Sequence, residues 1–179
     1  MFTKIKKWKK ISSERVFEKY GKWIDKVICE FPDGSQDDFY IRGERSGALV
    51  VALTEDNKVI LAKQYRPGPD EIIAELPGGL IDEGEEPVEA AARELLEETG
   101  YQAGKVEFTA KTLESAYSSE ERYFFVATNC KKIAKPQNAA REIVEVELMT
   151  LDKFRDHLRT GRMSDVHGGY LGLDYLGLL

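Results

Sequence analysis

The chain has 179 residues, a net charge of −6, 42% hydrophobic and 32% charged residues, which suits one folded domain with its own core and excludes a disordered chain. No apolar run approaches the ~20 residues that cross a bilayer, the lysine-rich start lacks the apolar stretch of a secretory signal, and Cys29 and Cys130 make neither a disulfide framework nor a CxxC metal site. The acidic balance argues against nucleic acid as a partner, and it tolerates an anionic substrate only where a cation neutralises part of it.

The segment through Lys10 reads as a solvated end with Trp8 packed inward. Residues 14–31 and 37–42 read as strands, carried by Val16, Phe17, Tyr20, Trp23, Ile24, Val27, Ile28 and Phe31, with Pro32-Asp33-Gly34 as the turn between them. A strand section of ~45 residues is too small to stand alone as a sheet domain, so it is expected to pack on the rest of the chain or on another subunit. The expected division is therefore 1–45 and 46–179.

Ala48–Leu53 and Val59–Ala62 read as a hairpin of buried strands, joined at Glu55-Asp56-Asn57. Gln64-Tyr65-Arg66-Pro67-Gly68-Pro69 reads as a loop, since two prolines cannot continue a ladder. Glu71–Leu76 returns as a strand. Residues 86–99 form the clearest helix: Pro87 suits the first helical position, Glu89 lies in the first turn, and Gly100 follows the last. Lys105–Leu113 and Tyr123–Ala127 read as strands around the polar loop Glu114–Arg122. Ile143–Met149 is a further strand, and Leu151–Arg159 and about Asp165–Leu178 read as helices. His157 and His167 fall in these helices as surface or structural residues. Mixed strands with a few helices predict an α/β or α+β domain, a sheet packed between helices.

On the 86–99 helix, Glu94, Glu97 and Glu98 share one face at i, i+3 and i+4. Val88, Ala91, Ala92 and Leu95 cluster about a third of a turn away, as the stripe to be buried. Glutamates at this spacing repel one another by a few tenths of a kcal/mol per pair. Taken alone they read as a solvated face, but a hard divalent cation reverses the penalty. Mg²⁺ takes oxygen ligands, binding through a few carboxylates and substrate phosphates. Gly78-Gly79 lets the backbone turn sharply and approach a ligand closely, and its carbonyls are further hard oxygens. Arg93 reaches Glu97 one turn on, or Glu85 in the preceding loop, and orients a carboxylate.

Together these residues resemble the Nudix box, G-x5-E-x7-R-E-U-x-E-E-x-G-U, where U is bulky and apolar. Gly79, Glu85, Arg93, Glu94, Glu97, Glu98 and Gly100 fill all seven fixed positions, and Leu95 and Tyr101 the U positions. Seven such identities, at ~7% each over ~150 starts, arise by chance about once in a million sequences, which sets the solvated-face reading aside. The resemblance implies an α/β/α sandwich with a mixed sheet, preceded here by a small antiparallel strand section. It implies Mg²⁺, with Mn²⁺ as a substitute, on Glu94, Glu97, Glu98 and the Gly78 carbonyl. Glu85 and Arg93 then resemble the pair that joins loop to helix.

The flanks Gln64-Tyr65-Arg66-Pro67, Glu75-Leu76-Pro77-Gly78-Gly79 and Ala91-Ala92-Arg93-Glu94-Leu95 are similar to the branch that hydrolyses ADP-ribose and nucleoside diphosphate sugars. That branch implies a swapped homodimer built by the N-terminal strands and a small nucleotide as substrate; the expected compartment, the cytoplasm, follows from the lack of an export signal. The branch implies Arg66 as a diphosphate-binding arginine, with Glu75 and Gly79 as further substrate contacts and Trp23 as an aromatic that either stacks on a base or packs in the core. It places a catalytic base in the loop after the box, at Glu120, with Glu121 its near competitor and the box glutamates Glu94, Glu97 and Glu98 beside it. The Ser115-Ala116 segment departs from the Ser-Pro-Gly usual there, which loosens the tie to ADP-ribose itself. Other Nudix specificities, for dinucleoside polyphosphates or modified nucleotides, are the alternative. A non-catalytic nucleotide sensor would lack box glutamates or carry a DNA-binding domain.

Overall fold

Tyr20 and Gly21 both hold positive φ, at 54° and 72°, the geometry of a two-residue hairpin turn. They split what reads as one strand region into β1 (Lys9–Lys19) and β2 (Lys22–Glu30), paired antiparallel from Lys9↔Glu30 to Lys19↔Lys22. Tyrosine rarely marks such a turn, so the sequence does not announce it. The Pro32-Asp33-Gly34 turn does form, and Asp33 accepts from the Ser35 hydroxyl at 2.6 Å. It leads into β3 (Gln36–Glu44), antiparallel to β2.

The computed structural model describes residues 4–137 and 143–179, and the chain divides into two units. The first holds β1, β2 and β3 together with Leu113–Glu121, a segment docked along β3 by Arg42 N–H to Tyr117 O and Ser119 N–H to Arg42 O, both 2.9 Å. Its apolar packing is thin. Trp8 meets Phe31 edge-on at 4.6 Å yet stays 46% exposed, and Val27 is the one large hydrophobic fully buried in these three strands. Every residue of β1 is exposed.

The second unit, Ser46–Thr112 with Arg122–Leu179, carries a mixed sheet. Its strands are β4 (Gly47–Thr54), β5 (Val59–Arg66), β6 (Glu71–Glu75), β7 (Gly78–Leu80), β8 (Tyr101–Gln102), β9 (Lys105–Leu113), β10 (Glu121–Lys132) and β11 (Glu145–Met149), where the end residues Leu113 and Glu121 fall to the first unit. Its helices are α1 (Pro87–Thr99), α2 (Leu151–Thr160) and α3 (Val166–Tyr175). β4 and β10 run parallel, while β5 is antiparallel to β4, β6 and β11.

Side chains alternate across these strands with a period of two. On one face Val51, Leu53, Val59, Leu61 and Val126 pack with Phe154, Leu158 and Leu173 of α2 and α3. On the other, Val50, Ala52, Ile60, Phe125 and Ala127 pack with Ala90, Ala91 and Leu95 of α1. A sheet apolar on both faces requires helices on both, and the result is an α/β/α sandwich. Burying a side chain such as Leu95 contributes about 2 kcal/mol. Among the described residues no helix is long and apolar enough to cross a membrane.

Two expectations change. Gln64, Tyr65 and Arg66 are not a loop: β5 runs through Arg66, paired with β6 from Ala62↔Glu75 to Arg66↔Glu71. Proline restricts the residue before it to extended backbone, which suits a strand end rather than forbidding it. Gly78 and Gly79 are not a turn either, but lie in β7 opposite Leu49 and Ala48 of β4.

Candidate active site

Helix α1 starts at Pro87 after the N-cap Glu86, whose amide donates to the Glu89 carboxylate at 3.3 Å. It ends at Gly100, held at φ 70°, where a Cβ would stand 2.2 Å from the Ala134 carbonyl oxygen. Only glycine satisfies both the left-handed backbone and that contact.

The buried arc of α1 is Ala90, Ala91, Leu95 and Thr99, whereas Val88 and Ala92 are exposed. The expected stripe is thus rotated. On a helical wheel Glu94 and Glu98 fall between Ala90 and Ala91, inside the sheet-facing arc. Small alanines there leave room for the carboxylates. Glu97 lies at the edge of the arc, its side chain 41% exposed.

The glycines of β7 supply the remaining space. A Cβ on Gly79 would stand 2.4 Å from Glu94 Oε1, and one on Gly78 would stand 2.5 Å from the Ala48 carbonyl oxygen. They serve close approach, of the helix carboxylate in one case and of β4 in the other.

On one side of α1 the charges are matched. Arg93 grips Glu85 with two nitrogens, Nε to Oε1 at 2.8 Å and Nη2 to Oε2 at 3.0 Å. Nη2 also donates to the Leu80 carbonyl at 3.1 Å, tying β7 to the helix. Nη1 donates to Glu94 at 2.7 Å and to Glu97 at 3.3 Å. Glu85 further accepts the Asp82 amide at 2.9 Å. The guanidinium and that amide hold the Glu85 carboxyl down at about 2, and the carboxylates raise Arg93 in turn.

On the other side burial dominates. Glu98 accepts the Gly78 amide at 2.9 Å, and Gln64 Nε2 lies 3.4 Å from its other oxygen. Burial still pushes its carboxyl up to about 7, helped by the charge of Glu94 and opposed by the Gly78 amide, Arg66 and Gln64. Burial likewise raises Glu94, against the pull of Arg93.

Arg66 stands two residues from Gln64 on the same face of β5, its side chain 42% exposed. Its Nε pairs with Glu75, which is 3% exposed and also takes the Ser164 hydroxyl. Glu75 is therefore covered, with its two oxygens engaged by Arg66 and Ser164 rather than open to a ligand.

Trp23 and Glu120 belong to the other unit. The Trp23 ring is half-buried, packed over Gly43 with the Arg15 guanidinium 4.6 Å from its centre. Glu120 is 1% exposed, and its carboxylate pairs with Arg42 Nε at 3.0 Å. Its neighbour Glu121 opens β10.

Gln64 and Ser164 are the participants that sequence reasoning does not assign. Reading Gln64-Tyr65-Arg66 as a strand puts Gln64 beside Arg66 at i, i+2. No local signal marks Ser164.

The family model of the NUDIX domain matches residues 43–166. The chain belongs to the Nudix family. Over 174 residues it is 32% identical to an ADP-ribose pyrophosphatase of Bacillus subtilis, covering 95% of this chain and 92% of that one. Over 162 residues it is 30% identical to a methanol dehydrogenase activator of Bacillus methanolicus, covering 88% and 86%. A crystal structure of an ADP compounds hydrolase superposes with a TM-score of 0.81, over 99% of this chain and 100% of that one, at 23% identity, which establishes the shared fold.

Within this Nudix chain no three His, Cys, Asp or Glu side chains are gathered into a closed metal group among the described residues. Arg93 draws on Glu94 and Glu97, and Glu98 turns to the Gly78 amide. The donors nevertheless fit a hard divalent cation. They are carboxylate oxygens, partly desolvated and mutually repelling, and such a cation binds through a few of them, leaving waters and phosphate oxygens to complete its shell.

Proposed function

We propose that this Nudix pyrophosphohydrolase cleaves the diphosphate of a nucleoside diphosphate sugar, ADP-ribose or an NDP-hexose such as GDP-mannose, with Mg²⁺ on Glu94, Glu97, Glu98 and the Gly78 carbonyl. The products are a nucleoside monophosphate and a sugar phosphate. The observation that carries the reading is the convergence of two oppositely charged elements on one side of the sheet: desolvated Glu98 on α1, met by Gln64 of β5, and Arg66 two residues farther along that strand, whose charge acts on Glu98. The likeness to an ADP-ribose pyrophosphatase over nearly the whole chain supports the substrate class.

In the hydrolysis a water oxygen bonds to one phosphorus, the P–O–P bridge breaks, and the leaving phosphate keeps the bridging oxygen. Bound Mg²⁺ supplies neutralisation of the phosphoryl oxygens and a more acidic water. Arg66 offers its terminal Nη nitrogens to the diphosphate, as a planar fork matched to two oxygens. Glu75 fixes that fork through Nε. Arg93 and Glu85 hold the 81–86 loop and β7 against α1, so that Gly78 and Gly79 stay where Glu98 and Glu94 need them.

The same reading includes a homodimer through the first unit, supported by Val16 and Phe17, 47% and 52% exposed on a strand with no buried residue. Sedimentation equilibrium of the full chain checks it, and a monomer at micromolar concentration removes that part.

The substrate is tested with a panel of ADP-ribose, NDP-hexoses, dinucleoside polyphosphates and oxidised nucleotides, with Mg²⁺ and with a chelator. Release of AMP or GMP from the diphosphosugars, lost on chelation, is the expected result. Turnover confined to the other two classes would move the chain to another specificity.

A further inference from the structure

We propose that Ser164 is a positioning residue for substrate binding, acting through Glu75 on Arg66; this rests on the reading above that Arg66 grips the diphosphate. The buried carboxylate of Glu75 is held at both oxygens, Oε1 by the Ser164 hydroxyl and Oε2 by Arg66 Nε. A carboxylate that is 3% exposed must have its lone pairs satisfied from within the protein. Held at one oxygen only, it turns about its terminal torsion, which is broad. Held at both, it presents Oε2 in one direction, and the guanidinium it carries inherits that direction.

Ser164 comes from the link between α2 and α3, far along the chain from β6. The surrounding contacts show that this link is built against β6. His157 of α2 approaches the Ala74 carbonyl at 2.8 Å through Nε2. Because a carbonyl only accepts, that ring nitrogen carries the proton. The Arg162 guanidinium pairs with Glu71 at the start of β6. These two ties secure the strand's backbone and its outer end. Ser164 alone among the three touches the carboxylate that touches Arg66.

The functional consequence follows from where Arg66 is engaged. Its Nε is committed to Glu75, which leaves the two Nη nitrogens as the pair that meets a second oxyanion. Loss of the serine hydroxyl frees Oε1, lets the carboxylate rotate, and blurs the aim of the fork. A group that binds substrate and transition state alike shows such damage mainly in KM.

The test uses the full chain with ADP-ribose or the best diphosphosugar of the panel and saturating Mg²⁺. Ser164→Ala is expected to raise KM about 5–10-fold, less than the full worth of a hydrogen bond to a charged group because the effect reaches substrate only through Glu75 and Arg66, with kcat within about 2-fold. Ser164→Thr, which keeps the hydroxyl, restores KM. Arg66→Ala raises KM further, and adding Ser164→Ala to it changes nothing more, because the path has already been cut. The Arg66 Nε–H resonance, assigned through Arg66→Lys, shifts in Ser164→Ala and returns in Ser164→Thr.

An unmoved resonance with an unchanged KM in Ser164→Ala overturns the proposal. So does an effect of equal size in the Arg66→Ala background, which would mark a loss of fold rather than of aim. If Arg66→Ala itself leaves KM unchanged while the resonance still responds to Ser164, the relay stands and the diphosphate role of Arg66 falls.

Discussion

The two sides of α1 meet the same kind of residue, one in the loop before the helix and one on the helix itself, and put it to opposite use. Glu85, on the loop side, meets Arg93 through both oxygens and is held at about 2. Glu98, on the sheet side, meets an amide and a carboxamide and is pushed up to about 7 by burial. Arg93 stands between the two situations, with Glu94 and Glu97 as its lesser partners. One side is a clasp, which holds the loop before α1 in place. The other is a carboxylate whose burial is left uncompensated by any cationic partner in direct contact among the described residues, the feature on which the proposed metal site rests. A carboxylate run on a helix therefore has no single meaning, and the partner contributed by tertiary structure decides which meaning applies.

The sharpest way to break this contrast is Glu98→Gln. It removes a charge that the apo fold does not need, so kcat is expected to fall by about 10³-fold or more, while the urea midpoint stays level or rises. Steady-state kinetics and denaturation on one preparation read both. A mild kinetic effect, or a clear loss of stability, would put Glu98 on the clasp side.

Glu85→Gln should do the reverse in stability. The pair is partly buried, with Glu85 15% and Arg93 28% exposed, so its loss is expected to cost about 1–2 kcal/mol, and less at high salt. Activity falls as well, because β7 loosens. Urea titration at two salt concentrations checks this, and a salt-independent loss would speak against an ion pair.

Gly79→Ala probes the space between strand and helix. Its Cβ would displace the Glu94 carboxylate, from which it would stand 2.4 Å. Because Glu94 is the flexible end of a side chain, stability should drop by about 1 kcal/mol or less, while kcat/KM falls about 10-fold. Equal activity in Gly79→Ala would show that the position of Glu94 is not critical.

The smallest effect concerns burial acting without any charged partner. Cys130 lies beneath α1, and burial raises its thiol to about 11. Below that pH the thiol stays protonated, so alkylation of the native chain at neutral pH is expected to label half-buried Cys29 and spare Cys130. Mass spectrometry after brief iodoacetamide treatment reads the result. Rapid double labelling would show that this face of the sheet opens.

Much of this was legible along the chain. The 87–99 helix has its proline, its first-turn acid and its terminal glycine in a single window, and the β4–β5 hairpin has unbroken apolar runs. Those signals are local, so the structure had little freedom to differ. The turn at Tyr20-Gly21 was hidden, because tyrosine carries no preference for positive φ. The length of β5 was hidden behind Pro67 and Pro69, although β6 supplied the pairing that extends it to Arg66. In the site, the spacing of Glu94, Glu97 and Glu98 was fixed by helical geometry, but their surroundings were not.

The sequence by itself determined which acids share a helix and where that helix starts and stops, because a period of 3.6 residues and a capped end need only neighbours in the chain. The Glu85–Arg93 pair was expected as well, but tertiary structure alone decided that Glu98 is desolvated and that Ser164 reaches Glu75 across 89 residues. Desolvation and ion pairing depend on what stands within a few ångströms, and that is set by how β5, β6, β7 and α1 come together, not by the order in which they are written.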